Sequence, residues 1–256
     1  MAARIILKTP SELRIMEEAN QVVAGALEML REHVRPGVST LELDQLAEQY
    51  ALKRGAKPAF KGYRGFPGSL CVSLNDQVVH GIPSRKVVLH EGDILSIDFG
   101  VLYNGYYGDA AVTLPIGSVN EEATELLQVT EESLFKAIEQ VKIGNRIADI
   151  SRAVQEHVER KGYSVVRQFV GHGIGQSLHE PPEIPNYYRS GPSPKLLEGM
   201  VLAIEPMVNI GGAEVIILRD GWTVVTKDHS LSAHFEHSVA VTADGPLVLS
   251  RSRKDC

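Results

Sequence analysis

Apolar residues along this chain follow two periods, helical and alternating, and the two arrive in separate blocks. Leu13, Met16, Val23, Leu27, Leu30 and Val34 keep helical spacing. Thr9-Pro10-Ser11-Glu12 in front is a helix start: a capping Thr, a Pro suited to the first turn and a Glu that closes a capping box. Pro36-Gly37 ends that helix. Ser39 and Glu42 make a second capping box, followed by Leu43, Leu46, Ala47 and Tyr50, with a stop at Gly55. Residues 57–69 (KPAFKGYRGFPGS) fit neither period and read as a loop. Strands are predicted at 70–74, 94–103 and 106–114. Helical spacing returns over about 121–141 and 147–160. Further strands are predicted at 165–170, 201–204, 213–218, 222–226 and 235–241, with a Pro-rich loop over 180–195.

Two helices followed by strands therefore occur twice, which suggests an internal duplication. At an offset of 107, Val34 falls on Val141, Gly37 on Gly144 and Gly55 on Gly162. EGDILSID at 91–98 falls on EGMVLAIE at 198–205, with four of eight positions identical. The HGI triplets at His80 and His172 lie at offset 92, so they match only with a gap. The pattern predicts an α+β protein in which 1–256 is a single domain. Its internal pseudo-repeat runs roughly 9–118 and 119–250, around one continuous antiparallel sheet.

Composition narrows the class. With 256 residues, 43% hydrophobic and 23% charged, the chain can bury a large core, which excludes disorder as its main state. The net charge of -6 disfavours non-specific binding to nucleic acid or to an anionic membrane. No apolar run approaches membrane-spanning length. The N-terminal apolar run is only Ile5 to Leu7, so no signal peptide is expected. Cys71 and Cys256 lie too far apart in sequence for a zinc ribbon or a disulfide framework, and a reducing, cytoplasmic setting is expected.

The chemistry lies in acids at unusual positions. Asp98 ends the apolar run Ile94-Leu95-Ser96-Ile97, and Glu205 ends Val201-Leu202-Ala203-Ile204. A buried carboxylate must be paired, protonated or bound to a metal. Asn104-Gly105 is a strong type I′ hairpin signal. In that hairpin Asp98 faces Ala111, and Asp109 becomes its diagonal neighbour on the same face, about 7–8 Å away. Carboxylates that close repel unless a cation lies between them. Glu236, in FEHSVAVT, resembles Asp109 in DAAVT, so closure of a duplicated fold would bring two acid pairs together. His172, flanked by glycines in GHGIG, offers a fifth ligand. Four carboxylates and a histidine suit two divalent ions, with Mn, Fe, Co or catalytic Zn all compatible. Two-metal sites activate water and stabilise a tetrahedral intermediate. His179-Glu180-Pro181-Pro182-Glu183 is no helical zinc motif, because it lacks the second histidine and carries two prolines. G-x-S-x-G and Walker A patterns are absent. Phe60, Tyr63 and Phe66, three aromatics in a Gly-rich loop, admit two readings: a pocket wall or a loop anchor.

Asp98, Asp109, His172, Glu205 and Glu236, with FVGHGIG at 169–175 and His179 seven residues after His172, resemble the type I methionine aminopeptidases. The resemblance runs from about Thr9 to Leu249. It implies the pita-bread (creatinase/aminopeptidase) fold, two pseudo-symmetric α+β halves around a curved antiparallel sheet. It implies two divalent metal ions, with Asp98 on one, Asp109 and Glu236 bridging, and His172 and Glu205 completing the other. Glu205 is then the general base, His179 the stabiliser of the oxyanion, and His80 the contact to the substrate nitrogen. Phe60, Tyr63, Phe66, Cys71, Leu178 and Trp222 match a methionine cup, where a thioether packs well on aromatics. The implied substrates are nascent polypeptide N-termini with a small second residue, met by a cytoplasmic monomer, with the ribosome as a candidate partner. Ala110 departs from the Thr found after the bridging Asp in many relatives. Two alternatives share the fold: a proline-specific peptidase, and a peptide-binding module without catalysis.

Overall fold

The computed structural model describes residues 4–252. Both capping boxes form. The Glu12 carboxylate accepts from Thr9 N at 2.7 Å and opens α1 (Pro10–His33); Glu42 accepts from Ser39 N at 2.8 Å and opens α2 (Thr40–Leu52). Five strands follow: β1 (Lys57–Pro58), β2 (Cys71–Leu74), β3 (Gln77–Val79), β4 (Ile94–Tyr103) and β5 (Tyr106–Pro115). Then come α3 (Glu121–Ile138), capped by Asn120, and α4 (Ile147–Arg160). The strands after α4 are β6 (Ser164–Val165), β7 (Gly171–Gly173), β8 (Glu180–Ile184), β9 (Val201–Ile204) and β10 (Met207–Asn209). The last five are β11 (Val215–Ile217), β12 (Val224–Thr226), β13 (Ser232–His234), β14 (Glu236–Thr242) and β15 (Gly245–Val248).

Nine strands form one antiparallel sheet in the order β1-β4-β5-β14-β9-β7-β8, with β2 also on β4 and β15 on β14. Two three-stranded sheets, β13-β10-β6 and β11-β12-β3, complete the fold. The hairpin between β4 and β5 turns through Asn104 (φ 48) and Gly105 (φ 84), the two left-handed residues a type I′ turn needs. Its register puts Asp98 opposite Ala111, as the turn predicts.

Alternation along each central strand divides the sheet into two faces. Leu95, Ile97, Phe99 and Val101 of β4 pack with Ala110 and Leu114 of β5 under α1 and α2. Leu202 and Ile204 of β9 pack with Val239 and Val241 of β14 under α3 and α4. The intervening positions of the same strands, with Asp98, Asp109 and Glu236, face away from the helices, and Glu205 continues that face beyond β9. At roughly 25 cal/mol per Å2 of apolar surface, each helix-covered Leu or Ile contributes about 1.5–3 kcal/mol. That burial fixes the register, since a one-residue slip would turn the acids into the core.

Positions 107 apart in sequence share local structure. Gly37 and Gly144 have φ of 91° and 98°, Gly55 and Gly162 of 74° and 84°, and Gly92 and Gly199 of 91° and 86°. The isolated bridges Ser39–Val88 and Arg146–Lys195 keep the same offset.

Some elements differ from the sequence expectation. The Pro-rich segment contains a strand, β8, because it lies at the sheet edge, where a proline without an N–H is tolerated. β7 is Gly-His-Gly, which carries no strand propensity. A Cβ on Gly171 or Gly173 would sit on a carbonyl oxygen of a neighbouring strand, so glycine is what lets this strand close against β9 and β8. The run 165–170 pairs with β10 through β6 and one further bond, Val166 N donating to Met207 O at 3.0 Å, and the chain then leaves the sheet to carry Phe169 and Val170 to the cavity described below. β12 starts at Val224 because the N–H groups of Trp222 and Thr223 bond the Asp220 carboxylate. Cys71 is buried with a free thiol, and Cys256 lies outside the described residues.

Candidate metal centre and its cavity

Strand register assembles the site. Cys71, Asp98, Ala111 and Glu236 lie directly opposite one another across β2, β4, β5 and β14. Ile204 pairs with His237, so Glu205, the next residue, extends that row beside Glu236. Asp109 lies two residues from Ala111 on the same face, and His172 enters from β7 opposite Ala203. Backbone pairing between β5 and β14 covers only Ala111–Glu236 and Ala110–His237. Hydroxyls continue the seam: Ser238 donates to Asp109 O at 2.8 Å, and Thr113 Oγ1 donates to His234 O and accepts from His234 N, both at 2.8 Å.

A cavity of about 190 Å3 opens over this row. All thirteen residues singled out from the sequence line it: the acids Asp98, Asp109, Glu205 and Glu236, the histidines His80, His172 and His179, and Phe60, Tyr63, Phe66, Cys71, Leu178 and Trp222. The aromatic wall is built edge to face, with Phe66 on Trp222 at 5.2 Å and Phe169 on His80 at 5.5 Å. Asp44 holds the loop that supplies the wall, accepting from Ser69 N at 2.6 Å and Leu70 N at 2.8 Å. Gly100, opposite Asp109, has no Cβ, and one would press on Phe60 and the Asp109 carboxylate.

The carboxylates are left short of partners. Asp98 Oδ1, Asp109 Oδ1 and Glu236 Oε1 are buried with no hydrogen-bond partner. Burial first, and then the neighbouring acids, push Asp98 and Glu236 well above the usual carboxylate range. Burial, and next the Asp109 charge, does the same to Glu205, while burial lifts Asp109 to about 7. Four acids held this way are costly unless a cation occupies the space between them. One ligand atom each from Asp109, His172 and Glu236 lies within 4.8 Å of the others. His172 is set for ligation: Nδ1 donates to Gly173 O at 2.9 Å, which leaves the Nε2 lone pair free, 3.7 Å from Glu205 Oε1. Burial, then His179, drives its pKa to about 3, so it is neutral. The donor set fits divalent cations with oxygen and imidazole preference.

His179 stands at the mouth, with Nδ1 2.9 Å from Tyr63 Oη and its ring 4.3 Å from that of His172. Desolvation and then the Arg64 charge hold its pKa below the ordinary value. Burial, then His179, lowers His80 to about 4.

Sequence reasoning passed over Arg64, Val79, Phe169 and Val170, which also line the cavity. It also passed over His234, buried with Nε2 unpartnered and 3.7 Å from Glu205 Oε2. Counting back two from Glu236 by strand alternation would have flagged His234. An arginine set between Tyr63 and Phe66 in a Gly-rich loop would have flagged Arg64.

Residues 14–243 match the family described as Metallopeptidase family M24. The chain is 54% identical over 246 residues to a methionine aminopeptidase of Clostridium acetobutylicum, covering 96% of this chain and 98% of that one. The crystal structure of a methionine aminopeptidase from Thermotoga maritima superposes with a TM-score of 0.95 at 46% identity, covering 97% of this chain and all of that one (100%). A prolidase from Pyrococcus furiosus superposes with a TM-score of 0.80 at 27% identity, covering 97% of this chain and 66% of that one.

Proposed function

This chain belongs to metallopeptidase family M24 and, within it, to the methionine aminopeptidases, and we propose that it removes the initiator methionine from nascent polypeptides whose second residue is small. The observation that carries the reading is the convergence of four carboxylates, Asp109 and Glu236 buried and Asp98 and Glu205 half-buried, and a δ-protonated histidine beside an aromatic cavity. Asp98, Asp109, His172, Glu205 and Glu236 would hold two divalent ions, with Co, Mn, Fe and Zn all suited to the donors. Bound there, the ions supply Lewis acidity that activates water and stabilises negative charge.

The protein's own groups do the rest. Phe60, Tyr63, Phe66, Cys71, Leu178 and Trp222 take the methionine side chain, and their apolar faces exclude water around it. His80, neutral at pH 7, faces the substrate nitrogen. The hydrogen bond between Tyr63 Oη and His179 Nδ1, with the hydroxyl as donor in this mechanism, leaves the imidazole proton on Nε2. From there it donates to the scissile carbonyl oxygen as charge develops. The Glu205 carboxylate takes a proton from the attacking water and returns it to the leaving amine.

The reading includes one catalytic domain over 1–256, with a pseudo-repeat of roughly 9–118 and 119–250. The paired φ values and bridges at offset 107 support it. It also includes a monomer, since one chain supplies every group named, a cytoplasmic setting, and encounter with substrates at the ribosome. No helix among the described residues is long and apolar enough to cross a membrane. Incubation of the metal-loaded protein with Met-Ala-Ser and Ala-Pro-Ala tests the activity. The expected product is free methionine from the first peptide only; cleavage of the second alone would make the protein a proline-specific peptidase.

A further inference from the structure

Among the residues lining the cavity, Arg64 is the one permanent cation. It lies at the mouth, exposed, and no acidic side chain pairs with it among the described residues. The backbone is built to place it there. Gly62, Arg64 and Gly65 all have left-handed φ, at 85°, 49° and 91°. For a non-glycine residue that conformation costs about 1–2 kcal/mol. The turn is closed by Gly62 N donating to Phe66 O at 2.8 Å and Tyr63 N donating to Phe60 O at 2.9 Å. Phe60, Tyr63 and Phe66 point into the cavity wall from the same turn, which fixes the stem of Arg64 relative to them.

Its guanidinium lies 5.4 Å from the centre of the Tyr63 ring, and that ring stacks on His179 at 5.3 Å. Its charge is felt at His179, the group assigned to the scissile carbonyl. The acids crowd the opposite end, on the cavity floor. A peptide with its N-terminal residue in the aromatic cup must leave through the mouth, advancing about 3.3–3.6 Å per residue. The residues after the scissile bond therefore pass the side of the mouth where Arg64 stands next to Tyr63 and His179.

Resting on the reading above, we infer that Arg64 is a specificity residue that binds a carboxylate carried by the third residue of the substrate. The carboxylate comes either from an Asp or Glu side chain or, in a tripeptide, from the chain end. A guanidinium suits this role because it is always charged and offers a planar pair of donors. The unpaired state of Arg64 leaves those donors available.

The test compares kcat/KM of the metal-loaded protein for Met-Ala-Glu-amide, Met-Ala-Gln-amide and Met-Ala-Lys-amide, and for Met-Ala-Gln as free acid. The expected order is Glu above Gln above Lys, about two- to fivefold per step as for an exposed ion pair, narrowing as salt rises. The free acid should exceed its amide by a similar factor if the chain end is read, and equal it if only side chains are. Arg64→Gln should flatten the Glu-to-Lys ratio, and Arg64→Glu should invert it. Ratios within one variant cancel any change in metal loading or folding. A ratio indifferent to both substitutions, with Met-Ala-Gln-amide still cleaved, overturns the inference and leaves the aminopeptidase reading intact. No cleavage of any of the four peptides overturns that reading instead.

Discussion

At Glu205 two roles meet in one carboxylate. Oε1 lies 3.7 Å from His172 Nε2 and Oε2 the same distance from His234 Nε2, so both oxygens face imidazoles rather than protein donors within hydrogen-bond reach. A carboxylate so placed is free to accept a proton, and burial together with Asp109 raises its affinity for one. Glu205→Gln removes the acceptor and keeps the shape. The expected result is a loss of about 10²–10⁴ in kcat. The metal-free protein should melt no lower than wild type, because the amide keeps the shape and can never place a charge beside Asp109. Undiminished turnover would remove Glu205 from the role of base. The sequence marked this residue because a carboxylate ended an apolar strand. For His234 it offered only the position two residues before Glu236; its place 3.7 Å from Glu205 Oε2 came from the fold. The same holds for Tyr63, read as a wall residue, whose hydroxyl also lies 2.9 Å from His179 Nδ1.

The turn and loop elements decide how the wall is held. Residues 57–69 carry almost no regular structure beyond β1 and a single 3-10 turn (Tyr63–Gly65), yet they place three aromatics in the cavity. What orders the end of this loop is Asp44, buried at the inner face of α2, through two short bonds to backbone N–H groups. Asp44→Ala leaves both donors without their acceptor. A loss of about 1.5–3 kcal/mol in urea unfolding is expected, as for hydrogen bonds to a charged group. KM for Met-Ala-Ser should rise more than kcat falls, since the wall loosens while the acid row on β4, β5 and β14 stays in place. A larger effect on kcat would place Asp44's influence on the acids. The helices and long strands were legible because capping boxes and periodicity are local. β7, β8 and β15 were not, because glycines and prolines carry no strand signal; β8 pairs at the sheet edge, and β7 pairs inside the sheet only because its glycines leave room for the neighbouring strands.

Over the whole molecule, the dominant energetic feature is charge concentrated in one place. Without a cation, the buried acids hold protons more tightly than they would in the unfolded chain, with Asp109 pushed up to about 7. These acids bind more protons in the native state than in the unfolded one, so their own contribution to metal-free stability falls as pH rises from about 4 toward 7, while the histidines that burial keeps neutral, His80, His172 and His234 among them, contribute the opposite slope. A bound cation needs the acids ionised, so its affinity rises over that range. The difference in melting temperature between metal-loaded and chelator-treated protein should therefore widen from pH 5 to pH 7.5. At metal near a hundred times Kd it should reach roughly 5–10 °C. A gap that shrinks with rising pH would contradict the cation assignment. The sequence by itself determined the elements with local signals, the 107-residue offset and the identity of the acids, since caps, periods and a carboxylate at a strand end are properties of neighbouring residues. The tertiary structure alone decided that Asp98, Glu236 and Glu205 share one row. It also decided that His172 keeps its Nε2 free, and that Arg64 stands unpaired at the mouth. The row depends on strand order β4-β5-β14-β9-β7, above all on the pairing of β5 with β14, whose residues lie more than a hundred positions apart; the other two depend on how β7 and the loop before β2 dock onto that sheet.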